Sequence, residues 1–190
     1  MHNRTKTLMF TLPVITLIFN VICVSPSWAA NQSNYDLFKR VQEHVLRYSF
    51  FTVFDDVSAE IVQNGHVILT GHVLGDHKKE DIAKRVKSVE GVTNLINNIQ
   101  VLPASQLDDH LRYQVAKVIY SNSNFWHYFN RSNPSVHIVV NRGHITLTGV
   151  VDTAIDRTLA GILATQFDAF SVTNELRLRT EVAADIEALG

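Results

Sequence analysis

Nine histidines in 190 residues are the first candidates for chemistry, because imidazole ligates metals and moves protons near neutral pH. His66 and His72 fall on one face of an alternating run, "GHVILTGHV". Six residues at about 3.3 Å each place them about 20 Å apart, too far for one ion whose ligands sit at about 2 Å. His77 is near enough to meet His72 across a turn, but no third ligand recurs beside them. In a second, similar run Val150 stands where His72 would be. The histidines therefore read as solvated side chains, with no metal site and no cofactor expected.

Other reactive groups are no better placed. Cys23 is the only cysteine and lies in an apolar leader, so thiol catalysis and zinc thiolates have no ligands once the leader is removed. No Gly-x-Ser-x-Gly and no His-Glu-x-x-His occurs. Asp55 and Asp56 are adjacent; on a strand they face opposite ways and in a turn they are solvated. No catalytic residue is assigned, and the chain is expected not to be an enzyme.

The segment with the most distinctive chemistry is "NFWHYFNR", Asn124 to Arg131. Phe125, Trp126, Tyr128 and Phe129 crowd into five positions, with His127 and Arg131 beside them. Trp and Tyr suit a membrane interface, where an apolar ring and a polar tip are both satisfied. Aromatics also fill the matching region earlier in the chain (Tyr48, Phe50, Phe51, Phe54), so two of the four rings are expected to close a sheet. The candidate lipid-contacting set is Phe125, Trp126, Tyr128, Phe129 and Arg131. A second cationic segment, Lys78, Lys79, Lys84, Arg85 and Lys87, is interleaved with Glu80, Asp81 and Glu90 and reads as a solvated helix face.

These residues are held by a repeated unit. "GHVILTGHV" from Gly65 is answered 78 residues later by "GHITLTGVV" from Gly143. Before each stands an apolar four-residue spacing: Leu37, Val41, Val45 and Leu111, Val115, Ile119, one face of a helix. Between them "VSAEIV" and "VHIVV" read as strands, joined through Gln63-Asn64-Gly65 and Asn141-Arg142-Gly143 as hairpins. A second helix follows, with Ile82, Val86 and Val89 on one face in copy one and Ile155, Leu159, Ile162 and Phe167 in copy two. Each unit closes on an alternating strand containing Asn97 or Asn174. Those amides serve either as ligand contacts or as ties to neighbouring backbone, since a buried polar group must be paired; the tie is favoured.

The order is helix, strand, strand, helix, strand, written twice. It predicts an α+β chain of two tandem αββαβ domains, 34–103 and 104–180, each a three-stranded mixed sheet covered on one face by two helices. Residues 181–190 are expected to form a C-terminal tail. Gly65, Gly71, Gly143 and Gly149, with Asn97 and Asn174, are the structural signature of the repeat.

Residues 1–29 read as a signal peptide: Arg4 and Lys6, an uncharged run from Leu8 to Val24, then small residues at Ser27 and Ala29. Cleavage is expected between Ala29 and Ala30, giving a periplasmic chain; a retained anchor is the alternative, with Pro13 and Asn20 against it. Removing Arg4 and Lys6 from 17 basic residues leaves 15 against 18 acidic, a net charge of −3. Such a balance argues against a nucleic-acid partner.

Gly-x-Val-x-Leu-x-Gly-x-Val followed by a helix and then Gly91-Val92 through Val101 resembles the BON domain of bacterial envelope proteins, and Gly143 to Val151 with Asp168 to Leu178 repeats it. Tandem BON domains behind a leader resemble periplasmic proteins induced by osmotic stress. The resemblance implies a non-enzymatic protein that meets anionic phospholipid surfaces and protects the envelope. The alternative is a soluble, chaperone-like module whose partners are exported proteins. Copy two departs by starting its last strand at Asp168-Ala169 and by carrying extra residues after its first helix.

Overall fold

The computed structural model describes residues 27–129 and 134–188. The first unit runs α1 (Ser27–Leu46), β1 (Asp56–Val62), β2 (His66–Val73), α2 (Asp76–Lys87), β3 (Asn94–Asn97) and β4 (Gln100–Val101). The second runs α3 (Gln106–Ser121), the one-turn α4 (Trp126–Phe129), β5 (Val136–Asn141), β6 (His144–Val151), α5 (Ala154–Ala164), β7 (Ser171–Asn174), β8 (Arg177–Leu178) and α6 (Arg179–Ala188). Where a tail was expected beyond 180, α6 continues directly from β8.

In each unit the middle strand is antiparallel to the strand before it and parallel to the last one. Val67, Leu69 and Val73 are fully buried, as are Ile145, Leu147 and Val151, each set facing its two helices. Leu37, Val41 and Val45 of α1 and Leu111, Val115 and Ile119 of α3 lie in the two cores, as their spacing requires.

The repeated glycines mark backbone crowding. Gly71 sits at φ +116° and Gly149 at +107°, where a Cβ would lie 2.1 Å from the carbonyl oxygens of Asp56 and Ser135 respectively. Only glycine lets the paired backbones approach that closely. The second hairpin turn places Arg142 at φ +51° and Gly143 at +77°. A non-glycine there is uncommon. It is held because buried Asp108, at the start of α3, accepts both turn amides at 2.8 Å.

The third strand is split in both units, into β3 and β4 and into β7 and β8. Asn97 donates through Nδ2 to the Lys79 carbonyl of α2 and accepts from Ile99 N–H. Asn174 does the same with Arg157 of α5 and Leu176. Each amide thus ties its strand to a helix and turns the chain so that Ile99 and Leu176 point into the core.

Three readings are corrected. The buried face of α5 is Asp156, Ala160, Leu163 and Ala164, while Ile155 and Ile162 are exposed; the helix is rotated by about one residue from the largest apolar stripe. Asp55 is fully buried rather than solvated: it accepts from Thr52 N–H and Oγ1, from Leu74 N–H, and from Lys78 Nζ at 2.6 Å. Lys78 is accordingly buried and not part of the outer basic face of α2.

The units meet along β5. Val53, in the loop after α1, accepts from Ile138 N–H at 2.7 Å. The Phe51 ring packs edge-on to His137, 5.6 Å between centroids, and Phe54 does the same with Tyr113 at 5.3 Å.

Candidate functional site

The aromatic segment is built by caps. Ser121 ends α3, Asn122 accepts from Asn124 N–H through Oδ1 and from Phe125 N–H through its carbonyl, and a 3-10 turn leads into α4. The three-residue spacing then sorts the rings. Phe125 and Tyr128 turn inward and are fully buried, 5.8 Å apart. Trp126 and Phe129 turn outward, 67% and 50% exposed.

Tyr128 anchors the turn to the next helix. Its hydroxyl donates to Asp156 Oδ2 at 2.9 Å and accepts from Asp152 N–H at 2.7 Å. Burial, with the Asp156 hydrogen bond adding to it, pushes this phenol up to about 12, so it stays a donor across the physiological range. Asp156 also closes a capping pair with Thr153, its N–H bonded to Thr153 Oγ1 and its carboxylate accepting from that hydroxyl. Ile155, beside Asp156 in the chain, is 72% exposed.

Of the five candidate lipid-contacting residues, Trp126 and Phe129 offer their rings outward, Phe125 and Tyr128 hold the turn from inside, and Arg131 lies outside the described residues. Ile155 is exposed although its helical spacing placed it in the core. The repeat offset of 78 was the available signal: Lys78, Ile82 and Val86, all buried, map onto Asp156, Ala160 and Ala164 and leave Ile155 outside. Polar neighbours of the turn are His127, whose Nε2 is 3.4 Å from Asp152 Oδ2, and Arg179, whose Nε donates to Asp152 Oδ1.

The same offset exposes an inversion. Lys78 and Asp156 occupy equivalent positions at the start of α2 and α5. The first pairs with Asp55, which takes the N–H of Leu74; the second pairs with Tyr128, which takes the N–H of Asp152. One buried polar joint is built with opposite charge in the two copies.

Among the described residues no group of three or more His, Cys, Asp or Glu could hold a metal ion, and no helix is long and apolar enough to cross a membrane. What the geometry defines is a tandem αββαβ chain with an aromatic turn in its second unit, anchored from inside by Tyr128. The chain belongs to the BON domain family, which it matches over residues 39–103 and again over 108–180. That family is associated with the cell envelope and with phospholipid, and is generally non-enzymatic. No curated protein matches the chain. Among solved structures it is similar to the C-terminal domain of CdsD, the structural protein of the type III secretion system of Chlamydia trachomatis: 16% identity over 80% of this chain and 69% of that one, TM-score 0.32. A second CdsD structure from the same organism gives 16% identity, 80% and 97% coverage, and a TM-score of 0.29.

Proposed function

We propose that this protein is exported to the periplasm by cleavage between Ala29 and Ala30 and meets anionic phospholipid surfaces through Trp126, Phe129 and Ile155, protecting the envelope under osmotic or other stress. The observation that carries the reading is the outward pair of aromatic rings on a turn locked from inside by Phe125 and Tyr128. A pre-ordered turn loses little conformational freedom on insertion. Charge contributes little: residues 104–180 carry 7 basic and 6 acidic side chains against 8 and 9 in 34–103.

Aromatic side chains present roughly 150–250 Å² each. At 67% and 50% exposure, Trp126 and Phe129 offer on the order of 270 Å² together. Covering half of that in the interface contributes about 3 kcal/mol at ~25 cal/mol per Å². Vesicle sedimentation with anionic and with neutral lipid tests it. The double variant Trp126→Ala, Phe129→Ala should partition about 100-fold less into anionic vesicles with its melting point retained. Equal partition of variant and parent would remove the site and favour the soluble protein-binding alternative. N-terminal sequencing of the exported chain tests cleavage, and osmotic survival of a deletion strain tests protection.

A further inference from the structure

The two units differ at one sheet edge. β1 and β5 are both bonded on one side only, to β2 and β6. On β5 the outer edge is closed: the Val136 carbonyl accepts from the Tyr120 hydroxyl, Ile138 N–H donates to Val53, and the Val140 carbonyl accepts from Arg112. Tyr120 and Arg112 belong to α3. The offset of 74 that aligns Leu111, Val115 and Ile119 with Leu37, Val41 and Val45 places Leu46 and Phe38 at the matching positions of α1. Neither can donate a hydrogen bond.

The edge of β1 is correspondingly free of hydrogen bonds, although part of β1 lies close to β5. Val62 stands opposite His66 across the three-residue turn, so Val57, Ala59 and Ile61 point their N–H and C=O groups away from β2. Among the described residues nothing bonds to them. Alongside runs a groove of about 730 Å³ whose lining includes Phe38, Leu46, Ser135, His137 and Thr148. Of these, Ser135, His137 and Thr148 each hold one buried polar atom without a hydrogen-bond partner among the described residues: Ser135 Oγ, His137 Nδ1 and Thr148 Oγ1. Arg177 and Arg179 at the rim are already paired with Asp185 and Asp152.

We infer that this groove takes an extended segment of another polypeptide, added as a further strand to the free edge of β1. The edge repeats a donor and an acceptor every second residue over a seven-residue strand, a spacing that another strand matches and a lipid chain does not. One bond of this kind already exists on the neighbouring edge, where the Val53 carbonyl accepts from Ile138 N–H of β5. The segment carries apolar side chains toward Phe38 and Leu46. This inference does not depend on the membrane reading.

The test uses the exported chain with reduced, carboxymethylated α-lactalbumin as a permanently unfolded probe and native α-lactalbumin as the folded control. Amide exchange followed by NMR should slow at least tenfold at Val57, Ala59 and Ile61 with the unfolded probe and stay unchanged with the folded one. Ala59→Pro removes an outward N–H without breaking a bond to β2, and Ser58→Lys puts a charge on the edge. Each should weaken probe binding at least tenfold. The proposal is overturned by absence of binding, by binding that leaves these three amides unprotected, or by both variants binding like the parent. It is also overturned if protection grows with protein concentration alone, which marks a second copy as the occupant, or if phospholipid vesicles produce it.

Discussion

Replacing Lys78 by Met should unfold the first unit preferentially. The ammonium is 2.6 Å from Asp55 Oδ2, and both side chains are almost wholly out of solvent. Removing one partner of such a pair costs about 3–5 kcal/mol because the other charge stays buried. Asp55 keeps three further donors, Thr52 N–H, Thr52 Oγ1 and Leu74 N–H, which places the loss near the lower figure. For a unit of this size each kcal/mol shifts the melting point by roughly 4–8 °C, so the expected drop is roughly 12–24 °C. Two probes separate the units. In a chain that begins at Ala30, as proposed for the exported form, Trp126 is the single tryptophan and reports on the second unit, while far-UV circular dichroism reports on both. The dichroism midpoint should fall while the fluorescence midpoint holds; if the contacts of Val53 and Phe51 with the second unit couple the two tightly, both fall together. A variant melting within about 2 °C of the parent by both probes would refute the reasoning, since each kcal/mol is worth more than that.

Other outcomes follow from single contacts. Gly71→Ala or Gly149→Ala forces a Cβ to 2.1 Å from a backbone carbonyl and should cost about 3 kcal/mol or more, read by urea titration of each variant. Asn174→Ala removes the bonds to Arg157 and Leu176 and should cost about 1–2 kcal/mol, with Asn97→Ala giving a matching loss in the first unit. Burial holds the His137 imidazole below its ordinary value of 6.5. The unfolded chain then takes up a proton that the folded chain refuses, so this contribution is intact above pH 6.5 and is lost as pH falls below it. Melting curves from pH 7 to 5 should show that decline, and His137→Gln should flatten it.

The fold was legible where physics is local. A period of two in "HVILTGHV" and a period near four in Leu37, Val41, Val45 both come from which neighbours a residue touches along its own element, and both cores follow them. The rotation of α5 was misread because Ile155, Leu159 and Ile162 are more apolar than Ala160 and Ala164. Yet small residues face the sheet there, and the hydrogen bond from Tyr128 to Asp156, 28 positions apart, sets the rotation. The pair Asp55–Lys78, 23 positions apart, was hidden for the same reason: charged side chains advertise solvent, and only the assembled fold supplies their partner. In the aromatic segment the sequence told how many rings would be spare. Which two depended on where the 3-10 turn after Asn122 starts the count.

The opposite charges at Lys78 and Asp156 bear on how two near-copies fold beside one another in one chain. Tandem repeats of similar sequence are prone to swap elements, because each helix finds a plausible sheet in its neighbour. Were α5 to dock on the first sheet, Asp156 would arrive at Asp55 and bury two carboxylates against each other. Were α2 to dock on the second, the ammonium of Lys78 would replace the Asp156 carboxylate, and the Tyr128 hydroxyl would lose the acceptor it donates to. One mispairing sets like charges together and the other leaves a hydroxyl without its acceptor, so each helix is addressed to its own sheet by the sign it carries.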